Sequence, residues 1–172
     1  FHAGATADPD TLHLDLVRAI LTEGDSSRLH RLLVEEEQLA LQVSGWQSDG
    51  FDPGLAYFAM PLPPGADIDA TEARLFAELQ RVAREGVTPA ELTKARNLRL
   101  AAFWRGLQTI DGKATAIGNF EVFTGDYENL FAIPEQLSNI SPEQLQAVAA
   151  KVFRQENMTV GVLRAPDDGG AP

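Results

Sequence analysis

Leu12, Leu16, Ala19 and Ile20 recur at helical spacing, which predicts an amphipathic helix over about residues 9–22, ended by Gly24. A short helix is expected after Asp25, with Leu29, Leu32 and Leu33 on one side. The pattern then changes. Leu39, Leu41 and Val43 alternate with Ala40, Gln42 and Ser44, the period of a strand over about residues 39–46. Residues 55–62 are apolar at nearly every position, as expected of a strand covered on both faces. Asp52-Pro53-Gly54 supplies the turn between the two.

Two long helices are predicted next, over about residues 70–85 and 88–107, and Gly86 separates them. A further helix is expected over 114–123 and another after Ser141, with Leu145, Val148, Ala149 and Val152 on its apolar side. Residues 158–163 read as a closing strand. Asp8-Pro9, Thr88-Pro89 and Ser141-Pro142 each place a capping residue before proline. Thr88 to Glu91, Ser141 to Gln144 and Asp69 to Glu72 have capping-box spacing. This element order is not a strict βαβ alternation. It predicts an α+β fold, a mostly antiparallel sheet with helices packed on one face. Residues 1–164 form the expected domain, and the Pro-, Gly- and Asp-rich residues 165–172 read as a linker or disordered tail. The opening at Phe1, in a strand-like stretch, suggests a fragment with an exposed edge strand near Phe1 to Thr6.

Alternation predicts which way the first strand faces. Burial of Leu41 and Val43 against the long helices would leave Gln42 and Ser44 on the open side of the sheet.

Charge removes one class of function. The 172 residues carry 14 Lys and Arg against 25 Asp and Glu, a net charge of −11, and the basic residues are scattered among acids. Nucleic acid is therefore not an expected partner, since tracking phosphates needs clustered cations. No apolar run reaches the roughly 18 residues of a membrane span. The absence of cysteine removes disulfides, thiolate metal sites and cysteine nucleophiles.

The remaining chemistry is sparse. His2, His13 and His30 include no pair with zinc-motif spacing. His30 and Glu37, two helical turns apart, do not make a ligand set, and Glu35-Glu36-Glu37 reads as a solvated helix face. Gly112-Lys113 lacks the remainder of a phosphate-binding loop. Phe103 and Trp104 read as core residues of their helix. Gly24-Asp25-Ser26 is similar to the nucleophile block of one class of serine esterases. That reading would use Ser26 or Ser27, but no histidine follows His30 to serve as base. Catalytic, cofactor-binding and metal-binding residues are all expected to be none, so the isolated chain should hold no zinc and cleave no peptide.

A series of segments nevertheless resembles the insulinase/pitrilysin metallopeptidase family. Residues 20–29 are similar to its helix-stop and helix-start segment, with Ser27-Arg28-Leu29 opening the second helix. Leu39-Ala40, Thr88-Pro89-Ala90-Glu91-Leu92 with Lys94-Ala95, Thr124-Gly125-Asp126, Ile140-Ser141-Pro142-Glu143-Gln144-Leu145 and Asn157-Met158-Thr159-Val160-Gly161-Val162 follow in the family's order. The resemblance spans about residues 1–163. It implies a metallopeptidase-domain-like sandwich that begins one or more strands late. An arginine and a tyrosine that hold substrate in some members would fall at Val34 and Leu41, so both functions are missing. The family orientation would also turn Leu41 toward the open face, opposite to the burial argument. The resemblance thus implies a non-catalytic domain of a larger zinc metalloprotease, which shapes a chamber for peptide substrate. Its partner would be a catalytic domain in the same parent chain or on another subunit, with zinc in that domain. A non-peptidase scaffold subunit is the alternative. The resemblance also suggests a periplasmic or otherwise exported bacterial protein.

Overall fold

A computed structural model of the chain describes residues 1–164, and the expectation for residues 165–172 lies outside them. The element order is α1 (Thr11–Thr22), a π-helical segment (His30–Glu36), β1 (Ser44–Gln47), β2 (Ala56–Ala59), α2 (Ile68–Glu85), α3 (Pro89–Gly106), α4 (Ile110–Thr124), α5 (Asn129–Asn139), α6 (Pro142–Val152) and a 3-10 turn (Gln155–Asn157). This is a helix-rich α+β fold with a small antiparallel sheet.

The core forms where helical apolar stripes converge. Leu16, Val17 and Leu21 of α1, Leu79 and Val82 of α2, and Leu145 and Ala149 of α6 are fully buried. Phe153 is buried beside them and packs edge-on against Phe1 and Phe58, with ring centroids 5.3 and 5.8 Å away. Each fully buried side chain of this size contributes about 1.5–3 kcal/mol.

The capping signals are partly displaced. Thr88 and Ser141 cap α3 and α6 with complete capping boxes, as their spacing predicts. By contrast α2 is capped by Asp67, whose side chain accepts from the Ala70 N–H, and Asp69 sits inside the first turn. Asp8 holds a turn by accepting from the Asp10 N–H at 2.8 Å, so α1 starts only at Thr11.

The sheet is smaller than the alternation predicts. β1 and β2 pair antiparallel from Ser44 opposite Ala59 to Gln47 opposite Ala56. On the other side of β2, Phe1 exchanges both backbone hydrogen bonds with Ala56, and Ala3 does so with Gly54. The N-terminal residues thus lie along β2, and His2 alone reaches further, donating to the Asn157 carbonyl at 3.3 Å. The strand expected over 39–46 becomes regular only at Ser44. The Leu33 carbonyl takes the N–H groups of both Leu39 and Ala40, and Gln38 has φ 53, so this stretch closes the preceding helix.

Leu41 is therefore 62% exposed, against the burial argument, whereas Val43 is buried. Ser44 does not pack under the helices either, so neither simple orientation holds along the whole segment. Gly45 faces α1, where an added Cβ would come within 3.0 Å of Thr22 Oγ1. Alternation then puts Ser44 and Trp46 on the open side. Residues 55–62 are not covered on both faces: Ala56 is buried, while Tyr57 is exposed on the open side.

Three further expectations change. Residues 158–163 carry no strand: among the described residues no ladder receives them, and Val160, Val162 and Leu163 are exposed. Trp104 is 58% exposed instead of buried, because it lies beyond the part of α3 that packs on the core. The helix expected over 114–123 extends from Ile110 to Thr124. It is followed by α5, for which the sequence patterns gave no signal and which contains Pro134.

Candidate functional site

Two regions bring chemically capable side chains together. The first lies where the loop after α1 meets the start of α3. Ser27 and Leu29 are buried, and Arg28 lies between them with its guanidinium turned to neighbouring helix ends. It donates to both Glu91 oxygens, at 2.5 and 2.7 Å, and to the Gly86 carbonyl at 3.2 Å. Its third nitrogen is 3.5 Å from Glu78, which is buried on α2. Gly86 ends α2 with φ 76, a conformation that glycine tolerates without strain.

Glu91 serves two purposes at once. It accepts the Thr88 N–H at 2.8 Å to complete the α3 capping box, and it receives Arg28. Burial pushes its carboxyl up, but hydrogen bonds from Arg28 and Thr88 outweigh this and hold it at about 2. The Arg28 guanidinium is raised, chiefly by its hydrogen bond to Glu91. Arg28 and Glu91 are fully engaged with one another, buried Glu78 Oε1 adds only the ion pair, and the cluster ties three elements together, so it is a latch within the fold.

The serine pair beside it has no hydrolytic arrangement. Lys94 Nζ donates to Ser26 Oγ at 2.6 Å, the reverse of what a general base does. Ser27 Oγ is buried and has no hydrogen-bond partner among the described residues. The open groove alongside, about 710 Å³, is lined by Pro89, Ala90, Thr93, Lys94, Asn97 and Leu98, one face of α3.

The histidines are dispersed. His13 Nδ1 lies 3.0 Å from the Pro9 carbonyl, His30 is 3.8 Å from Glu35, and His2 sits on the β2 side of the sheet. Glu37 turns away from His30 and pairs with Arg74, which donates from Nε at 2.8 Å. Among the described residues no group of three or more His, Asp or Glu could hold a metal ion.

The second region is the open side of the sheet. Trp46 and the cross-strand Tyr57 stack with centroids 4.9 Å apart and planes inclined by 11°. They remain 47% and 36% exposed. α1 packs on the opposite side of β1, and the stack stands partly exposed on the open side. Of the two positions singled out by the family resemblance, Val34 packs against the core and Leu41 is at the surface. Sequence reasoning missed the aromatic stack. Trp46 and Tyr57 carry the signal only once the register pairs them.

Comparison with known proteins agrees with this picture. The family model for the peptidase M16 inactive domain matches residues 1–99. The zinc protease PqqE of Helicobacter pylori is 25% identical over 155 residues, covering 90% of this chain and 35% of that protein. This chain therefore spans about a third of the length of that curated relative. A solved structure from Bordetella parapertussis, described as an inactive peptidase domain, superposes with a TM-score of 0.85 at 30% identity and covers 94% of this chain and 87% of its own. Another from Bordetella pertussis gives 0.83 at 30% identity, covering 92% and 87%. The chain belongs to the peptidase M16 inactive-domain family.

Proposed function

We propose that this chain acts within a larger zinc metalloprotease as a wall of the substrate chamber and a support for a separate catalytic domain. The observation that carries the proposal is the bare sheet face bearing the Trp46–Tyr57 stack in a domain whose relatives include zinc proteases. Among the described residues no group of three or more His, Asp or Glu is placed to hold a metal ion. What they offer a peptide is a rigid aromatic surface on the open side of the sheet. Such a surface contacts bound substrate and transition state alike, so it lowers KM with little effect on kcat. Zinc, and the chemistry of activating water at the scissile carbonyl, would belong to the catalytic domain.

The test is kinetic, on the parent protease. Trp46→Ala and Tyr57→Ala should each raise KM for peptide severalfold and leave kcat within about twofold. Unchanged KM in both variants would remove the chamber-wall role. The isolated chain should take up no stoichiometric zinc on dialysis against the metal, and one tightly held zinc per chain would contradict the assignment.

A further inference from the structure

The Trp46–Tyr57 stack has an open outer face. Among the described residues β1 is an edge of the sheet, because the N-terminal residues line β2 on its other side. Tyr57 covers one face of the Trp46 ring, with centroids 4.9 Å apart, so the other face looks out over the unpaired side of β1. The strands offer that face no cation of their own. Residues 1–17 and 32–73, which supply the sheet and its turns, contain no lysine or arginine. His2 is the one side chain on the strands able to take a positive charge, and β2 lies between it and Trp46. Lys151 and Arg154 border His2 at that far edge. Arg18 reaches β1 from the helix side, where it is bound to the Gly45 carbonyl at 2.8 Å and to Asp15 at 2.5 Å. By contrast, Asp49 and Asp52 between β1 and β2 are exposed, and neither carboxylate meets a cation among the described residues.

We propose that the outer face of Trp46 binds an arginine or lysine side chain of the peptide, so that this wall favours basic peptides. The inference rests on the chamber-wall reading and adds to it the class of side chain. The face of an indole carries the negative lobe of the ring quadrupole, and tryptophan is the best of the aromatic side chains at attracting a cation placed there. The stack with Tyr57 holds the ring plane in position for it. Charge chooses this occupant over the others. An acidic side chain would meet Asp49 and Asp52 with no strand cation to offset them, and the net charge of −11 disfavours its approach. An aliphatic or aromatic side chain would gain contact area alone. A basic one gains area along its alkyl stem and the charge term as well. Asp49 follows Trp46 by three residues, at most about 10 Å of backbone. At that range the turn carboxylates draw the cation in without forming an ion pair that would hold it off the ring.

The test uses the parent protease and peptide substrates that carry arginine, citrulline or phenylalanine in turn at each position outside the cleaved bond. Citrulline keeps the length and planar end of arginine without its charge. At the position that meets Trp46, the arginine peptide should have a KM about two- to fivefold below that of the citrulline peptide, with kcat unchanged. Trp46→Leu keeps apolar bulk and loses the ring, so it should abolish that difference. Trp46→Phe should retain part of it. Melting curves of the isolated chain with each substitution check that the fold is kept. The two possible failures are distinct. If Trp46→Ala leaves KM unchanged for every peptide, peptide does not bind at this wall, and the chamber-wall reading falls together with the cation site. If Trp46→Ala raises KM equally for the arginine and citrulline peptides, the wall stands and the cation site is overturned. An arginine preference that survives Trp46→Leu, or phenylalanine bound better than arginine at every position, overturns it too.

Discussion

α1 and α4 have similar apolar content and opposite fates. α1 buries Leu14, Leu16, Val17, Ala19, Ile20 and Leu21, whereas α4 buries nothing. The difference lies in arrangement and neighbours. α1 gathers its large aliphatic residues on one stripe and meets β1, α3 and α6. α4 distributes smaller and aromatic residues around its circumference and meets α3, α5 and, through Phe123, Phe51 of the β1–β2 loop. Composition alone does not say which helix is core. Period and neighbours do.

The largest expected effects separate these two regions. Phe153→Ala, at the junction of Phe1 and Phe58, should cost about 3–5 kcal/mol, and Leu79→Ala about 2–5 kcal/mol. Val122→Ala, on the outer side of α4, should stay within about 0.5 kcal/mol. Urea denaturation of the dilute chain measures all three. A costly Val122→Ala would mean that α4 belongs to the core after all, and the contrast with α1 would collapse.

The latch sharpens the same contrast, because it locks the core side to itself and has no counterpart on α4. Arg28→Ala leaves Glu91 without its cation and Glu78, only 5% exposed, with Arg81 alone, so the cost should be about 3 kcal/mol. The pH dependence has a defined sign. Glu91 is held below its ordinary value, near 2, so its contribution is present above the ordinary carboxylate range and is lost as pH falls from about 4.5 toward 2. The amount lost is on the order of 2–3 kcal/mol for a side chain this covered. Glu91→Gln should flatten this part of the stability–pH curve in calorimetric melts. An acid limb equally steep in the variant would show that the latch does not carry it.

Much of this architecture is written locally. The capping boxes at Thr88 and Ser141 place α3 and α6 because a side chain three residues on is enough to recognise them. Glu91 as a capping residue was legible, but its second bond to Arg28 spans 63 residues and needed the fold. The limits of β1 were not legible, because the Leu33 carbonyl captures the next two expected strand N–H groups. α5 was hidden by Pro134, which ordinarily argues against a helix interior. The aromatic stack depended on register, which alternation within one strand cannot set.

The smallest expected effect concerns that stack, and it distinguishes exposed apolar surface kept for stability from surface kept for contact. Trp46 and Tyr57 face each other across β1 and β2, so part of their area is already shared. An aromatic cross-strand pair contributes about 0.2–1 kcal/mol beyond alanine. Trp46→Ala should therefore destabilise the isolated chain by no more than about 1 kcal/mol, far below Phe153→Ala. Tyr57→Ala should cost a similar amount, and the double variant should cost less than the sum, because each single change already removes the shared contact. Thermal melts of the four proteins measure this. A cost near that of a core phenylalanine would place the stack with α1, as an anchor of the fold. A cost near zero together with a raised KM in the parent protease would mark it as a surface whose purpose lies in what it touches.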